Sequence, residues 1–132
     1  MIKLFKVHVP PNIGKTIQDV FDSGQITEGI YSDKFENLIG QFILNSNCCL
    51  VNSGTSALTL AYHIIGLKPG DEVISTPMTC MATNEPLDHM GVKIVWADIE
   101  KTTGNICPES IKNKITRKTK AIVGVHWAGQ PF

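Results

Sequence analysis

The chain has 132 residues, 42% of them hydrophobic, and its 12 Lys and Arg balance its 12 Asp and Glu. That length suits one domain burying roughly two thirds of its unfolded surface, and the even charge without a basic cluster or acidic run argues against nucleic acid or a membrane surface as partner. No signal-peptide core follows "MIKLFK" and the best apolar run, 57–67, is too short to span a bilayer, so a cytoplasmic protein is expected.

The four cysteines, Cys48, Cys49, Cys80 and Cys107, show neither Cys-x-x-Cys nor Cys/His spacing. They read as reduced thiols with no metal to hold.

In chain order, residues 12–23 set Ile13, Ile17, Val20 and Phe21 at helical spacing before Gly24, which predicts an amphipathic helix. Residues 25–31 lack periodicity and read as a loop. Ser32 then caps a second helix that turns Phe35, Leu38, Ile39 and Phe42 inward. A short apolar strand is expected over 47–51, a helix over 56–65 closing at Gly66, and a Lys-Pro-Gly-Asp turn at 68–71 entering a strand over 72–75. The unit recurs as a helix over 82–89, where Pro86 is tolerable only near the start, and a strand over 93–97. A third round places a helix over 108–115 and a strand over 121–127. Such alternation predicts an α/β fold with a mostly parallel sheet and flanking helices. The chain divides into helices and a loop over 1–46 and alternating units over 47–132.

Ligands of open α/β sheets gather at the carboxyl ends of the strands. The loops expected there carry the unusual residues: "NSGTS" at 52–56, "TPMTCMATN" at 76–84, Asp98, and "AGQ" after His126. For "LVNSGTSAL" two readings stand. Gly and hydroxyl residues are ordinary material for a strand-to-helix turn. Yet a helix beginning at Thr55 or Ser56 also leaves its first NH groups unpaired at the positive end of its dipole, where a phosphate fits without Lys or Arg. Gly54 would let the main chain come close, and Ser53, Thr55 and Ser56 supply hydroxyls. Neither a P-loop nor a Gly-x-Gly-x-x-Gly turn is present. Asp98 reads as a brace for its loop, and His126 as either a hydrogen-bonding strand end or a ligand neighbour.

The segments "SGQITEG", "FENLIGQF", "NSGTSAL", "GLKPGDEVISTPMTCMATNEP", "GVKIVWADI", "TGNI" and "TKAIVGVHWAGQP" follow one another across nearly the whole chain. In that order and spacing they resemble the amino-terminal part of the DegT/DnrJ/StrS family of nucleotide-sugar aminotransferases, which depend on pyridoxal 5′-phosphate (PLP). The resemblance implies an incomplete amino-terminal part of the large domain of the aspartate-aminotransferase-like fold (fold type I). It implies PLP as cofactor, with Gly54, Thr55 and Ser56 holding its phosphate. Cys80 falls where the family usually stacks an aromatic residue on the pyridine ring, and a thiol offers that ring less area. Asn84 and His126 would lie near the site, and residues 25–29 resemble a loop near the active site of the family dimer. A homodimer, a keto-sugar nucleotide as substrate and an amino acid, glutamate or glutamine, as amino donor are implied as well.

Transamination also needs a Lys amine for the Schiff base and an acidic group at the pyridine nitrogen. The family carries both beyond its "GQP" segment, and no lysine here lies in a matching motif; Lys93, Lys118 and Lys120 read as solvent charges. No catalytic residue is therefore assigned. The expectation is an amino-terminal fragment, inactive alone, with bare sheet edges that favour association. The alternative is a non-catalytic module that binds a phosphate ligand or pairs with a homologous subunit.

Overall fold

The computed structural model describes Ile2 and residues 6–132. Two compact units divide the chain, Met1–Leu50 and Val51–Phe132.

The first unit holds α1 (Ile13–Ser23), closed by Gly24, and α2 (Ile30–Phe42). Ser32 does not cap α2. The helix begins earlier, with extended Gly29 as its N-cap and the Asp33 NH bonded to the Gly29 carbonyl at 3.1 Å, so Ser32 lies inside it. The inward face expected of α2 is also not buried: Phe35 and Leu38 are about half exposed, Phe42 is 85% exposed, and the one buried residue is Gly40. Helical spacing identifies an apolar face; burying it takes a second layer, which this unit does not supply.

α2 ends in a Schellman arrangement, the Asn45 NH reaching the Gly40 carbonyl at 2.9 Å and the Leu44 NH the Gln41 carbonyl at 3.3 Å. The left-handed position that such an end requires is filled by Leu44, at φ 56° and 94% exposed. Beyond it, residues 47–51 find no ladder partner among the described residues, so the expected strand does not form. Leu50 is held instead by its NH, which donates to Glu36 Oε1 at 2.7 Å. An apolar, β-branched pattern says that a segment suits a sheet, but a strand needs a neighbouring edge.

The second unit runs α3 (Gly54–Ile64), β1 (Glu72–Ser75), α4 (Met81–His89), β2 (Lys93–Trp96), α5 (Pro108–Lys114), β3 (Thr119–Ile122) and a 3-10 turn at Trp127–Gly129. The sheet is parallel, in the order β2-β1-β3, with Val73 opposite Ile94 and Ala121. Entry to β1 is set by the 68–71 turn. Pro69 and Gly70 at φ 88° match the needs of a type II turn, closed by the Asp71 NH on the Lys68 carbonyl at 3.1 Å. β1 is buried throughout as the middle strand, and its alternation divides the core. Val73 packs with Tyr62, Leu67, Leu87 and Val92, while Ile74 packs with Ala97 and Ile106.

Pro86 departs from expectation, lying well past the first turn of α4 and buried there. It forgoes the bond to the Ala82 carbonyl that a helix interior normally has. β3 starts earlier than expected and is short; Val123 adds one more bond, from its NH to the Ile74 carbonyl at 2.8 Å, before the chain leaves the ladder.

At the amino end of β1 the buried Glu72 carboxylate accepts from Thr116 Oγ1 at 2.6 Å and from Lys93 Nζ at 2.9 Å. Lys93 is thus an ion-pair partner rather than a free solvent charge. The Thr116 hydroxyl, then Lys93, hold the Glu72 carboxyl below the usual glutamate range. A carboxylate with a lowered folded pKa adds stability above its unfolded pKa and loses it as pH falls through the folded value.

Two outcomes follow from these features. Leu44→Gly should raise stability by roughly 0.5–1 kcal/mol, because left-handed strain is relieved at the cost of extra freedom in the unfolded chain; an unchanged or lower chemical-denaturation midpoint would contradict this. The stability advantage of wild type over Glu72→Gln should be full near pH 6 and shrink steadily below about pH 4.5, and a gap independent of pH in denaturation curves would show that the carboxylate charge is not involved.

Candidate functional site

The residues singled out from sequence lie at three places in the second unit. The first is the start of α3. Ser53 is extended and caps the helix, its Oγ accepting the Ser56 NH at 3.1 Å. The Ser53 and Ser56 hydroxyls lie 3.0 Å apart, and Ser56 Oγ donates to Asn52 Oδ1 at 2.6 Å. Ser56 therefore has both its NH and its hydroxyl engaged within the turn. The NH groups of Gly54 and Thr55 open the helix and have no hydrogen-bond partner among the described residues. A β-carbon on Gly54 would meet nothing within 4 Å. The turn thus offers two free, adjacent NH groups at the positive end of an 11-residue helix, with open space beside Gly54.

The second place is the loop between β1 and α4. Cys80 is the N-cap of α4 by its backbone, which accepts the Thr83 NH at 3.0 Å; its thiol is exposed and takes no part in the cap. Asn84 faces back to the strand end. Its Oδ1 accepts from Ser75 Oγ at 2.6 Å, and its Nδ2 donates to the Thr76 carbonyl at 3.1 Å. Thr76 Oγ1 in turn accepts the Met78 NH at 3.1 Å, and the Thr79 and Thr83 hydroxyls lie 2.9 Å apart. Asn84 is thereby a brace of the loop that carries Cys80.

His126 is the third place, after β3. It is exposed, its Nδ1 accepts the Phe132 NH at 3.2 Å, and the two rings lie 4.7 Å apart. Asp98, read from sequence as a brace for its own loop, is tied to α5 through Ser110 Oγ, which lies 2.9 Å from the Asp98 NH and 3.3 Å from its carboxylate. Among the described residues no hydrogen bond joins the three places directly.

A link that the sequence did not suggest runs beneath the first two. Tyr62, buried in α3, donates its hydroxyl to the Thr83 carbonyl in the first turn of α4 at 3.0 Å. Burial pushes the Tyr62 phenol up from its ordinary value. The sequence places Tyr62 only within the helix expected over 56–65; its hydroxyl partner lies 21 residues on. Among the described residues no three His, Cys, Asp or Glu side chains gather as a metal-ligand set, and no helix is long and apolar enough to cross a membrane.

Residues 10–132 match the family described as the DegT/DnrJ/EryC1/StrS aminotransferase family. The chain belongs to this family. It is 40% identical to the spore coat polysaccharide biosynthesis protein SpsC of Bacillus subtilis over 91% of its own length and 32% of that protein's. It is 35% identical to the GDP-perosamine synthase of Vibrio cholerae, covering 98% of this chain and 36% of the synthase. Among solved structures, AtS13 from Actinomadura melliaura superimposes with a TM-score of 0.94 at 37% identity, over 100% of this chain and 36% of that one. The PLP form of the sugar aminotransferase Spr1654 from Streptococcus pneumoniae gives 0.88 at 30% identity, over 95% of this chain and 32% of that one. The chain spans about a third of the length of these relatives. Its fold is that of the corresponding part of sugar aminotransferases, an open parallel sheet with flanking helices.

The cap makes a direct prediction. Ser53→Ala should cost about 1 kcal/mol and fray the start of α3, seen as faster amide exchange at Ser56 with little change in the β1 core. Unaltered exchange at Ser56 would mean that Ser53 is not the cap in solution.

Proposed function

We propose that this chain supplies the phosphate-holding and ring-facing part of a PLP-dependent aminotransferase acting on a keto-sugar nucleotide, with an amino acid as donor. Membership of the family and the free NH pair at Gly54 and Thr55 support this reading. The residues fit the group: two NH donors, the Thr55 hydroxyl and open space at a helix amino terminus suit a dianionic phosphate. When bound, PLP supplies an electron sink for carbanion chemistry. The chain's own part is to bind and orient. Gly54 and Thr55 hold the phosphate, and Ser53, Asn52 and Ser56 keep the turn rigid so that both NH groups point the same way.

Cys80, carried at the loop that Asn84 braces, would meet the pyridine ring, and its exposed thiol is free to do so. His126 would lie at the rim beside it. The amine nucleophile and the acid at the pyridine nitrogen would come from other segments of the complete enzyme. Pairing with a second copy is part of the proposal, supported by the exposed apolar residues of α1, such as Phe21, and of α2, such as Phe42.

Pyridoxamine 5′-phosphate tests the reading, since it carries the phosphate but forms no adduct with surface lysines. Gly54→Pro is the matching variant: proline suits the first position of a helix, extended Ser53 suits a following proline, and the change deletes one of the two donors. Titration followed by the ultraviolet absorbance of the pyridine ring, which both vitamers carry, should show wild type binding pyridoxamine 5′-phosphate more tightly than pyridoxamine, and Gly54→Pro weakening the phosphate form about tenfold with helicity kept. Equal affinity for the two vitamers would refute a phosphate site.

A further inference from the structure

Asn105 is 3% exposed, and none of its side-chain polar atoms is left unmet. Its Nδ2 donates to the Gln130 carbonyl at 3.0 Å and the Pro131 carbonyl at 2.9 Å, and its Oδ1 accepts the Trp127 NH at 2.9 Å. One side chain thus grips both ends of a segment 22 to 26 residues further on. The loop that carries it is itself fixed. Ile99 bridges Ile106, the Glu100 NH bonds the Asn105 carbonyl at 2.9 Å, and the Asn105 NH reaches Thr103 Oγ1 at 3.2 Å.

Its neighbour Gly104 sits at φ 74°, where a β-carbon would come within 2.6 Å of Trp127 Cδ1, so the indole occupies the space that a side chain there would need. Trp127 follows His126 directly, and Ala128 in the same turn holds a left-handed φ of 51°. An unassisted chain would not favour that conformation.

We infer that Asn105 is a positioning residue: by clamping Trp127, Gln130 and Pro131 it fixes the turn that aims the His126 ring at the rim. The geometry specifies the ring's state. Nδ1 accepts from the Phe132 NH, so the proton of the neutral imidazole sits on Nε2, and Nε2–H is the group presented outward. Release of the clamp frees Phe132 along with Pro131, and the ring loses both its tautomer and its direction. That this serves a reaction rests on the proposed cofactor site; that Asn105 sets the ring does not.

Two variants of this chain separate the roles of the amide. Asn105→Ala removes all three bonds. Asn105→Asp keeps an acceptor for the Trp127 NH but replaces the donor that holds Gln130 and Pro131. By nitrogen NMR, wild type should show His126 with Nε2 protonated in its neutral form. Both variants should shift it toward a tautomer mixture. Trp127 amide exchange should rise about tenfold in Asn105→Ala and stay near wild type in Asn105→Asp, where the Phe132 amide should exchange about tenfold faster. An unmoved His126 tautomer in either variant overturns the inference. So does equal loosening of the Val73 and Ile74 amides, or failure of both variants to fold, since Asn105 would then be a general stability residue. A wild type that ignores pyridoxamine 5′-phosphate sinks the cofactor reading and leaves the His126 result standing.

Discussion

Parallel pairing of β1 with a neighbour on each side is the constraint on which the rest of the second unit depends. Parallel strands cannot be joined by a hairpin, so a helix or long loop must carry the chain back after each one. The consequence is that β1, β2 and β3 all release the chain at the same edge. The loop bearing Thr76 to Cys80, the Asp98 turn and the His126 turn share that edge for this reason alone. Chemistry is then added by what each loop holds. The middle strand is wholly buried because both of its sides are paired and both of its faces are covered, Val73 by Tyr62 and Leu87 and Ile74 by Ala97 and Ile106, and its charged first residue is met by a hydroxyl and an ammonium.

The loops at this edge are held by side-chain hydrogen bonds more than by apolar packing. Ser75, Thr76, Thr79, Thr83 and Asn84 knit the β1–α4 connection, as Asn52, Ser53 and Ser56 knit the start of α3. Short hydroxyl and amide side chains bond nearby backbone and one another, which makes turns stiff without making them bulky. Stiffness matters where a ligand is to be met by NH groups, since donors that are already aimed lose little freedom on binding. Tyr62 extends the same logic between helices, its hydroxyl donating from α3 to the Thr83 carbonyl in α4.

Sequence reasoning reached the features whose causes are local. The Pro-Gly turn at 68–71, β1 itself and the Gly24 stop each depend on a few adjacent residues, and each stands where expected. It failed where the cause lies elsewhere in the chain. Ser32 has the right chemistry for a cap, but extended Gly29 decides where α2 begins. Residues 47–51 have a strand's composition and find no partner edge among the described residues. That Ser53 turns its hydroxyl onto the Ser56 NH was likewise not legible, since a Ser in such a turn can face either way. Asn105 stood within "TGNI" as one letter of a resemblance; its grip on residues 127–131 is tertiary, and no periodicity or spacing encodes it.

The order β2-β1-β3 places the earliest of the three strands at the centre. A chain emerging from the ribosome would therefore lay down its innermost ribbon first, with α3 and the 68–71 turn already present to shield one face. Each later ribbon then has a template waiting when it appears and need displace nothing to join it.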